Sequence, residues 1–349
     1  MTSKDLTIVA DSADRLVRSV IKLIILTGNT WKTHPASHAR ATPLREVPNL
    51  TAVLVEPRHR CSASKAFPDL FNPGLAAARF LYMLSGSNRL NDIEFYTDGV
   101  GAFTDDGITL AGSAYGQRIF DSRPGLDQVE RCVDLINTRP NTKRAAMAVY
   151  LPEDCGRSSA DVPCCLAVVL QPRGRRLSGT GVMRANDALK LLAYNVFEFS
   201  MLIEFIAQRT DLKLGTYTHV TISMHLREAD NIALAHEVVK EDLAAPVMSR
   251  MPEVTEKTRA MLTKWEENVR QRIPRSTAKA HISLQRELND EMPIYWADLL
   301  GAAALQGFAK ENPASMSIEL LDSLRVSNMS VLRRLQLNFM NHKLHPEES

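Results

Sequence analysis

Two adjacent cysteines, Cys164 and Cys165, follow Pro163 in the stretch DVPCCLAVVL at residues 161–170. The thiolate form of cysteine is both a nucleophile and a metal ligand, so this doublet is a candidate for chemistry. Taken alone, a cysteine before an apolar run is more often a small buried hydrophobe. The chain has five cysteines, an odd number without a Cys-x-x-Cys pair, which disfavours a disulfide framework and a zinc cluster. We therefore expect free thiols and no metal site.

Several polar residues follow Cys164 along the chain. Arg184 comes twenty residues after Cys164, and Asp187 follows it in the stretch MRANDALKLLAYN. Asn195 ends that stretch, and His225 comes later, in SMHL. A nearby arginine favours the thiolate form of cysteine, and its forked donors also suit phosphate. These neighbours make Cys164 a better candidate for chemistry than a lone cysteine would be.

This order of residues resembles the thymidylate synthase family, which includes nucleotide hydroxymethylases. In that family a Pro-Cys-His nucleophile is followed twenty residues later by Arg-Ser-x-Asp, then by an asparagine and a His-x-Tyr motif. Three upstream stretches are also similar to family motifs, namely FLYMLSG at 80–86, SAYGQR at 113–118 and RPNTKRAAMAVY at 139–150. The resemblance covers roughly residues 40–245 and is strongest over 139–228.

The resemblance implies transfer of a one-carbon unit to a pyrimidine ring. In such a reaction a cysteine thiolate adds to C6 of the ring, and C5 then attacks the methylene group of methylenetetrahydrofolate. Cys164 would be the nucleophile, Tyr115 a catalytic group near it, and Asp187 a catalytic residue that also binds the cofactor by orienting the pterin. We therefore expect 5,10-methylenetetrahydrofolate as cofactor and a pyrimidine nucleoside monophosphate as substrate. Asp187 could also simply cap the helix that follows it.

The resemblance also implies how the phosphate of the nucleotide is bound. Arg184 would contact both the phosphate and the nucleophilic cysteine, and Arg40 would bind the phosphate from a long loop. Lys143 and Arg144 would reach the phosphate in the partner subunit. This arrangement implies a homodimer with composite sites.

The remaining nucleotide contacts implied by the resemblance concern the base and the sugar. Asn195 would read the edge of the base, and His225 would contact the ribose 3′-hydroxyl. Ala185, next to the phosphate-binding arginine, would lie beside the phosphoribose.

Several residues depart from the family pattern, and they cluster at the predicted site. The departures are Cys165 in place of a histidine, Ala185 in place of a serine, Lys143 in place of an arginine, Arg227 in place of a tyrosine, and Arg79 in place of the catalytic glutamate.

These departures change the expected product and substrate. The tryptophan-rich segment that shields the methylene intermediate is replaced by IEFYTDG at 93–99. Reduction to a methyl group needs a site that excludes water, so we expect hydroxymethylation instead. The substitutions that give Ala185 and Lys143 leave room for a 2′-hydroxyl, and His-x-Arg replaces His-x-Tyr at the ribose contact. A ribonucleotide is therefore expected.

The choice of base stays open between cytosine and uracil. Asn195 suits uracil, whereas a flipped amide offers its oxygen to the N4 amine and its NH2 group to N3 of cytosine. We favour hydroxymethylation of CMP, as in nucleoside-antibiotic biosynthesis. One alternative is methylation of UMP or dUMP by a divergent synthase. Another is a nucleotide-binding protein without catalysis, because the catalytic glutamate is missing.

The composition limits the partners that the chain could have. It has 349 residues, 45% hydrophobic content and a net charge of +2, which is typical of a soluble globular protein. This charge balance lacks the excess of positive charge that is typical of nucleic-acid-binding proteins, and the basic run at 172–176 is expected in a hairpin turn. The apolar run at 20–26 is too short to span a bilayer, and no signal-peptide pattern is found. We expect a cytoplasmic protein without membrane contact.

The elements that must position the site residues come first in the chain. Helical spacing predicts helices at 12–27, 73–84 and 195–208, and residues 28–49 have the composition of a long loop. Strand patterns occur at 50–56, 144–151, 164–170, 176–183 and 216–224.

After about residue 247 only helical patterns remain, at 255–273, 278–290, 293–310 and 315–339. We expect an α+β fold with a thymidylate-synthase-like mixed sheet and surrounding helices. Residues 1–246 would form the catalytic domain, and 247–349 a helical C-terminal extension packed on it.

Overall fold

A computed structural model of the protein describes residues 6–32, 43–123, 125–325 and 331–344. The strands of these residues form one mixed sheet. They are β1 (Thr7–Ala10), β2 (Asn29–Lys32), β3 (Pro43–Leu54), β4 (Ala146–Ala148), β5 (Cys165–Arg173), β6 (Arg176–Asp187) and β7 (Lys213–Arg227).

The order of strands across the sheet is β1-β3-β7-β6-β5-β4, and β2 pairs with β3 outside this path. β1 is parallel to β3 and β6 is parallel to β7, whereas the other pairs are antiparallel. The helices of the described residues are α1 (Ala13–Thr27), α2 (Pro73–Ser85), α3 (Leu90–Glu94), α4 (Tyr115–Phe120), α5 (Gln128–Thr138), α6 (Leu192–Arg209), α7 (Glu228–Lys240), α8 (Glu256–Arg272), α9 (Ala278–Glu291), α10 (Ile294–Glu311), α11 (Ile318–Ser323) and α12 (Val331–Leu344).

The central helix of the fold is α6, which connects the parallel strands β6 and β7. Every residue from Leu192 to Ala207 is buried, as expected for a segment that is apolar nearly all round. Gly179 of β6 lets this helix lie close to the sheet, because a Cβ at that position would be 2.3 Å from Ile203 Cδ1. The second half of α6 is thereby held close to the start of β6.

The face of the sheet away from α6 carries small and β-branched side chains. Successive residues of a strand point to opposite faces. In β7, Tyr217 and His219 are fully buried, whereas Thr218 and Val220 between and after them are half-buried. Cross-strand pairing aligns this second set into two rows, Val53-Thr218-Thr180-Val169 and Thr51-Val220-Val182-Ala167, which we call the open sheet face.

The helices after residue 247 contact α2 through polar as well as apolar groups. Asn72, the N-cap of α2, donates from Nδ2 to Gln306 Oε1 of α10 at 2.8 Å. The backbone N–H of Gly74 donates to Gln336 Oε1 of α12 at 2.6 Å. Buried apolar residues of both regions belong to one continuous core. These contacts fix α2, which carries Arg79.

The prediction of an α+β fold with a mixed sheet and surrounding helices is confirmed. The loop predicted at 28–49 is wrong in part, because β2 and the first half of β3 lie there. Polar residues are common in edge strands such as β2, so their composition resembles that of a loop. The single helix predicted at 315–339 is also wrong, since α11 ends at Ser323 and α12 begins at Val331. The boundary between 246 and 247 stays a prediction.

Across the described ranges, no helix combines the length and the apolar character that crossing a bilayer requires.

Candidate active site

The two adjacent cysteines point in opposite directions, as successive residues at the start of a strand do. Cys165, the first residue of β5, is fully buried, and its Sγ is 3.7 Å from Ala167 O. Cys164 is partly buried and lines a cavity of about 410 Å³. All five cysteines of the chain are free thiols. The doublet therefore consists of one cavity thiol and one core thiol.

Arg184, near the end of β6, holds the segment that presents Cys164. Its backbone N–H donates to Cys164 O at 2.8 Å. Its side chain donates from Nε to Pro163 O at 2.8 Å and from Nη2 to Val162 O at 2.9 Å. Burial raises the pKa of the Cys164 thiol above its ordinary value, and the charge of Arg184 opposes that rise. Arg184 is thus the group that favours the thiolate.

Tyr115 is the first residue of α4 and lines the same cavity. The next residue, Gly116, allows α4 to contact α2, because a Cβ there would be 2.1 Å from Met83 O. The Tyr115 ring stacks on Phe199 of α6 with 6.1 Å between ring centroids. Burial, and then the nearby Cys164, raises the pKa of Tyr115 well above its ordinary value. The phenol is therefore neutral at neutral pH and can donate a hydrogen bond.

The start of α6 presents a stripe of residues to the cavity. Leu191, Asn195 and Glu198 follow one another at helical spacing, and all three line it. Asn195 is 3% exposed, and its side-chain amide makes no hydrogen bond within the described parts of the chain. Buried polar groups normally have partners, so an amide placed in this way suits a ligand.

Arg79 of α2 and Glu198 form an ion pair in the wall of the cavity. Arg79 Nε donates to Glu198 Oε1, and the two side chains are 29% and 3% exposed. Burial lowers the pKa of Arg79, but the carboxylate of Glu198 more than offsets this effect, so that the pKa is raised overall. Sequence reasoning identified Arg79 and missed Glu198. The available signal was the pair of acidic residues, Glu198 and Glu204, inside the nearly apolar stretch NVFEFSMLIEFIAQ.

Asp187, His225 and Arg227 lie at the end of the parallel strands β6 and β7, where Asp187 pairs with His225. Asp187 Oδ1 accepts hydrogen bonds from the backbone N–H groups of Leu189 and Lys190, both at 3.0 Å. Asp187 Oδ2 is 3.8 Å from Arg227 Nε. Asp187 therefore stabilises the turn before α6. The helix-capping interpretation is wrong, because the N-cap of α6 is Leu191 and no side chain of the described residues caps this helix. Its catalytic and cofactor-binding roles stay predictions.

His225 is buried beside Asp187. Its Nδ1 is 3.3 Å from Ser223 O, and because a carbonyl oxygen only accepts, Nδ1 carries the proton in this contact. Burial lowers the pKa of His225, and the charge of Asp187 opposes that shift. The neutral ring offers Nε2 as an acceptor for a hydroxyl group. The predicted contact with the ribose 3′-hydroxyl stays a prediction.

Cys164, Tyr115, Arg184, Asn195 and Arg227 line one cavity. Other predicted residues lie elsewhere. Asp187 and His225 are not among the described lining residues, and neither are Lys143 and Arg144, which are exposed just before β4.

Two further residue predictions concern the phosphoribose. Ala185 is half-buried and pairs with Ser223 across β6 and β7. Arg40 lies outside the described residues. Within the described residues, no group of three or more His, Cys, Asp or Glu side chains is arranged to hold a metal ion.

The sequence profile described as thymidylate synthase matches residues 76–270, which is more than half of the chain. This range includes Cys164, Arg184 and Asn195. The chain belongs to the thymidylate synthase family. The cavity that Cys164 lines is therefore the candidate active site of a thymidylate synthase family protein.

Three relatives are similar to parts of this thymidylate synthase family chain. The deoxyuridylate hydroxymethyltransferase of Bacillus phage SP01 is 26% identical over an alignment of 203 positions, which covers 52% of this chain and 52% of the phage protein. The protein of the same name from Pseudomonas phage M6 is 28% identical over 164 aligned positions, with 45% of each chain covered. A Methanocaldococcus jannaschii protein with a provisional thymidylate synthase name is 32% identical over 119 aligned positions, which cover 32% of this chain and 54% of that protein. The chain spans about half the length of the curated relatives it matches.

Proposed function

We propose that the chain hydroxymethylates C5 of a pyrimidine nucleoside 5′-monophosphate, with CMP as the favoured substrate and methylenetetrahydrofolate as the one-carbon donor. The observation that carries this proposal is the cavity of a thymidylate synthase family chain, lined by the Cys164 thiol together with Tyr115, Arg184 and Asn195. The thiol supplies the nucleophile of a Michael addition, and the cation, the neutral phenol and the unpaired amide supply hydrogen-bonding groups for a nucleotide.

Each of these residues has a role that its contacts support. The Cys164 thiolate forms a bond to C6 of the ring. The charge of Arg184 favours the thiolate form of the sulfur, and its remaining donors bind the nucleotide phosphate. Asn195 reads the polar edge of the base from α6, and Tyr115 donates a hydrogen bond beside the sulfur.

The lining of the cavity fits methylenetetrahydrofolate. Val100, Phe103 and Leu191 provide apolar surface in the same cavity as Cys164, and such surface suits a flat heteroaromatic ring. These three residues would hold the pterin, and the bound folate supplies the methylene carbon that C5 acquires. None of the three tryptophans of the chain is among the described lining residues. A wall without indole rings admits water, which favours hydroxymethylation over reduction to a methyl group.

Two features bear on the nucleotide that is bound. Ala185 removes a hydroxyl next to Arg184, and Arg227, whose side chain is 59% exposed, replaces a phenol at the cavity rim. Both changes favour a ribose with its 2′-hydroxyl. The second candidate substrate is deoxyuridylate, because the two phage relatives are named for it and Asn195 also suits uracil.

The test is to incubate the protein with methylenetetrahydrofolate and CMP, dCMP, UMP or dUMP, and to weigh the products. We expect a gain of about 30 Da with CMP, which is the mass of a hydroxymethyl substitution, and tetrahydrofolate as the second product. A gain of about 14 Da, with an increase in dihydrofolate absorbance, would instead identify methylation. If none of the four nucleotides gains mass, the proposed function is wrong.

We also propose that the chain forms a homodimer through the open sheet face. Its eight side chains are small or β-branched, and Ile222 on the same face of β7 is 46% exposed. An apolar face of this kind on a single chain indicates a protein interface. In the dimer, Lys143 and Arg144 of one subunit would reach the phosphate in the other, which accounts for their absence from the described lining of their own cavity.

Val182→Glu places a charge within the open sheet face, and we expect it to convert the dimer to monomers because a buried unpaired charge costs several kcal/mol. Sedimentation velocity measures the change. Ile108→Glu is the matched control, since Ile108 is 67% exposed on a different segment, and this variant should remain dimeric. A monomeric parent protein would contradict the proposed dimer.

A further inference from the structure

The proposed reaction needs a base, because the hydrogen on C5 of the pyrimidine must leave as a proton. Among the described residues that line the cavity, the carboxylates are Asp161 and Glu198. Asp161 is engaged by the protein itself. Its Oδ1 accepts from Ser113 N–H at 2.9 Å, and its Oδ2 accepts from Gly112 N–H at 2.8 Å and from the Ser113 hydroxyl at 3.0 Å. Asp161 therefore fixes the loop before α4.

The phenols of the cavity cannot serve as the base at neutral pH. Burial raises the pKa of Tyr115 well above its ordinary value, and it also raises the pKa of Tyr82. Both therefore keep their protons. The Cys164 sulfur is occupied by its bond to C6 during this step, and Arg79, Arg184 and Arg227 are cations. Elimination leaves Glu198.

The surroundings of Glu198 suit this role. Its Oε1 accepts from Arg79, whereas its Oε2 accepts no hydrogen bond from the described residues. The side chain is 3% exposed, and a carboxylate buried to this extent is costly unless it is paired. Arg79 provides the pairing. Glu198 also lies one helical turn after Asn195, on the stripe of α6 that faces the cavity.

The arrangement also accounts for Arg79. A cation at the place of the family's catalytic glutamate would leave the cavity without a working acid if nothing else changed. Here a carboxylate comes from α6 instead of α2, and it pairs with the cation on α2. The cavity thus keeps a carboxylate besides Asp161.

We propose that Glu198 is the general base that removes the C5 proton, directly or through one water molecule; this inference rests on the proposed function. When Cys164 has added to C6 and C5 has gained its new substituent, the C5–H bond breaks and the proton passes to Glu198 Oε2. The electron pair of that bond stays with the ring carbon. In the simplest case, with a deuteron from solvent as the new substituent, the pair reforms the C5–C6 double bond and the C6–S bond breaks to release thiolate.

Exchange of the C5 hydrogen with solvent deuterium tests this proposal without folate. With CMP in heavy water, the wild-type protein should exchange the C5 hydrogen for deuterium, which proton NMR follows as loss of the H5 signal. In Glu198→Gln we expect exchange and kcat for product formation to fall at least about 10²-fold, the usual contribution of general base catalysis. CMP affinity measured by calorimetry should stay within about threefold, because an amide of the same shape preserves the cavity.

A second variant guards against damage from the unpaired Arg79. In Arg79→Gln/Glu198→Gln both charges are removed. Circular dichroism should show that this variant has a native fold, and proton NMR should show the same loss of exchange as in Glu198→Gln. Glu130→Gln, which breaks an Arg209 ion pair remote from the cavity, is the matched control and should keep the wild-type rate.

Wild-type exchange in the double variant would overturn the proposal. The proposal would also be overturned if Glu198→Gln lost exchange with CMP but kept it with UMP, because Glu198 would then be a residue that recognises the base. Absence of both exchange and product in the wild-type protein would instead refute the proposed function.

Discussion

Replacing Cys164 by serine is expected to reduce product formation at least about 10³-fold, because a hydroxyl is a far weaker nucleophile than a thiolate toward C6 of the ring. The cavity keeps its shape, since oxygen replaces sulfur in a partly buried side chain. We therefore expect CMP binding and the free energy of unfolding to change little, the latter by less than about 1 kcal/mol. Mass spectrometry of the product and urea unfolding measure the two quantities.

Cys165→Ser is the matched control, because it is the same substitution one residue further along the chain. Cys165 is fully buried, so a hydroxyl there should cost about 1–3 kcal/mol of unfolding free energy while kcat stays within about threefold. The two variants thus separate chemistry from stability. If Cys164→Ser kept every activity of the wild-type protein, the chain would be a nucleotide-binding protein without this chemistry.

The pairing of Cys164 with Arg184 could be predicted from the sequence because one β-hairpin sets their spacing. β5 and β6 are antiparallel neighbours whose pairing begins at Arg173 and Arg176, next to the turn. β6 therefore runs back along β5 to the beginning of that strand, where the Arg184 N–H donates to Cys164 O. A spacing that follows from local structure is readable from one sequence.

The ion pair of Arg79 and Glu198 could not be predicted in the same way. The two residues are 119 positions apart and meet only because α2 packs beside α6. Local patterns record which face of each helix is buried, but they do not record which helices become neighbours. Arg79 was identified through the family pattern as a missing acid, and its partner became visible only in the tertiary structure.

Removing the guanidinium of Arg184 should weaken both phosphate binding and the reactivity of Cys164. In Arg184→Ala we expect the Kd for CMP to rise about 10- to 100-fold, since hydrogen bonds to a charged group contribute about 1.5–3 kcal/mol. The segment before β5 also loses the two bonds from Arg184 to Pro163 O and Val162 O. Arg176→Ala on the same strand is the matched control, because its side chain binds Leu214 O at the far end of β6.

Arg184 is expected to shift the pKa of the Cys164 thiol in one direction, and alkylation of the protein without any ligand measures that direction. Burial raises the pKa of this thiol and Arg184 lowers it, so removal of the arginine raises the pKa further. The thiolate fraction below the pKa falls about tenfold for each unit of that rise. The rate of iodoacetamide labelling of Cys164, resolved from exposed Cys155 by peptide mass mapping, should therefore fall at neutral pH.

The pH profile of labelling distinguishes this charge effect from a loss of access to the sulfur. If Arg184 acts through its charge, the labelling profile of Arg184→Ala moves to higher pH. It then reaches the wild-type rate once Cys164 is fully ionised in both the variant and the wild-type protein. Loss of access would lower the rate at every pH without moving the midpoint. A midpoint that stays in place, or moves to lower pH, would show that Arg184 positions the segment before β5 and does not activate the thiol.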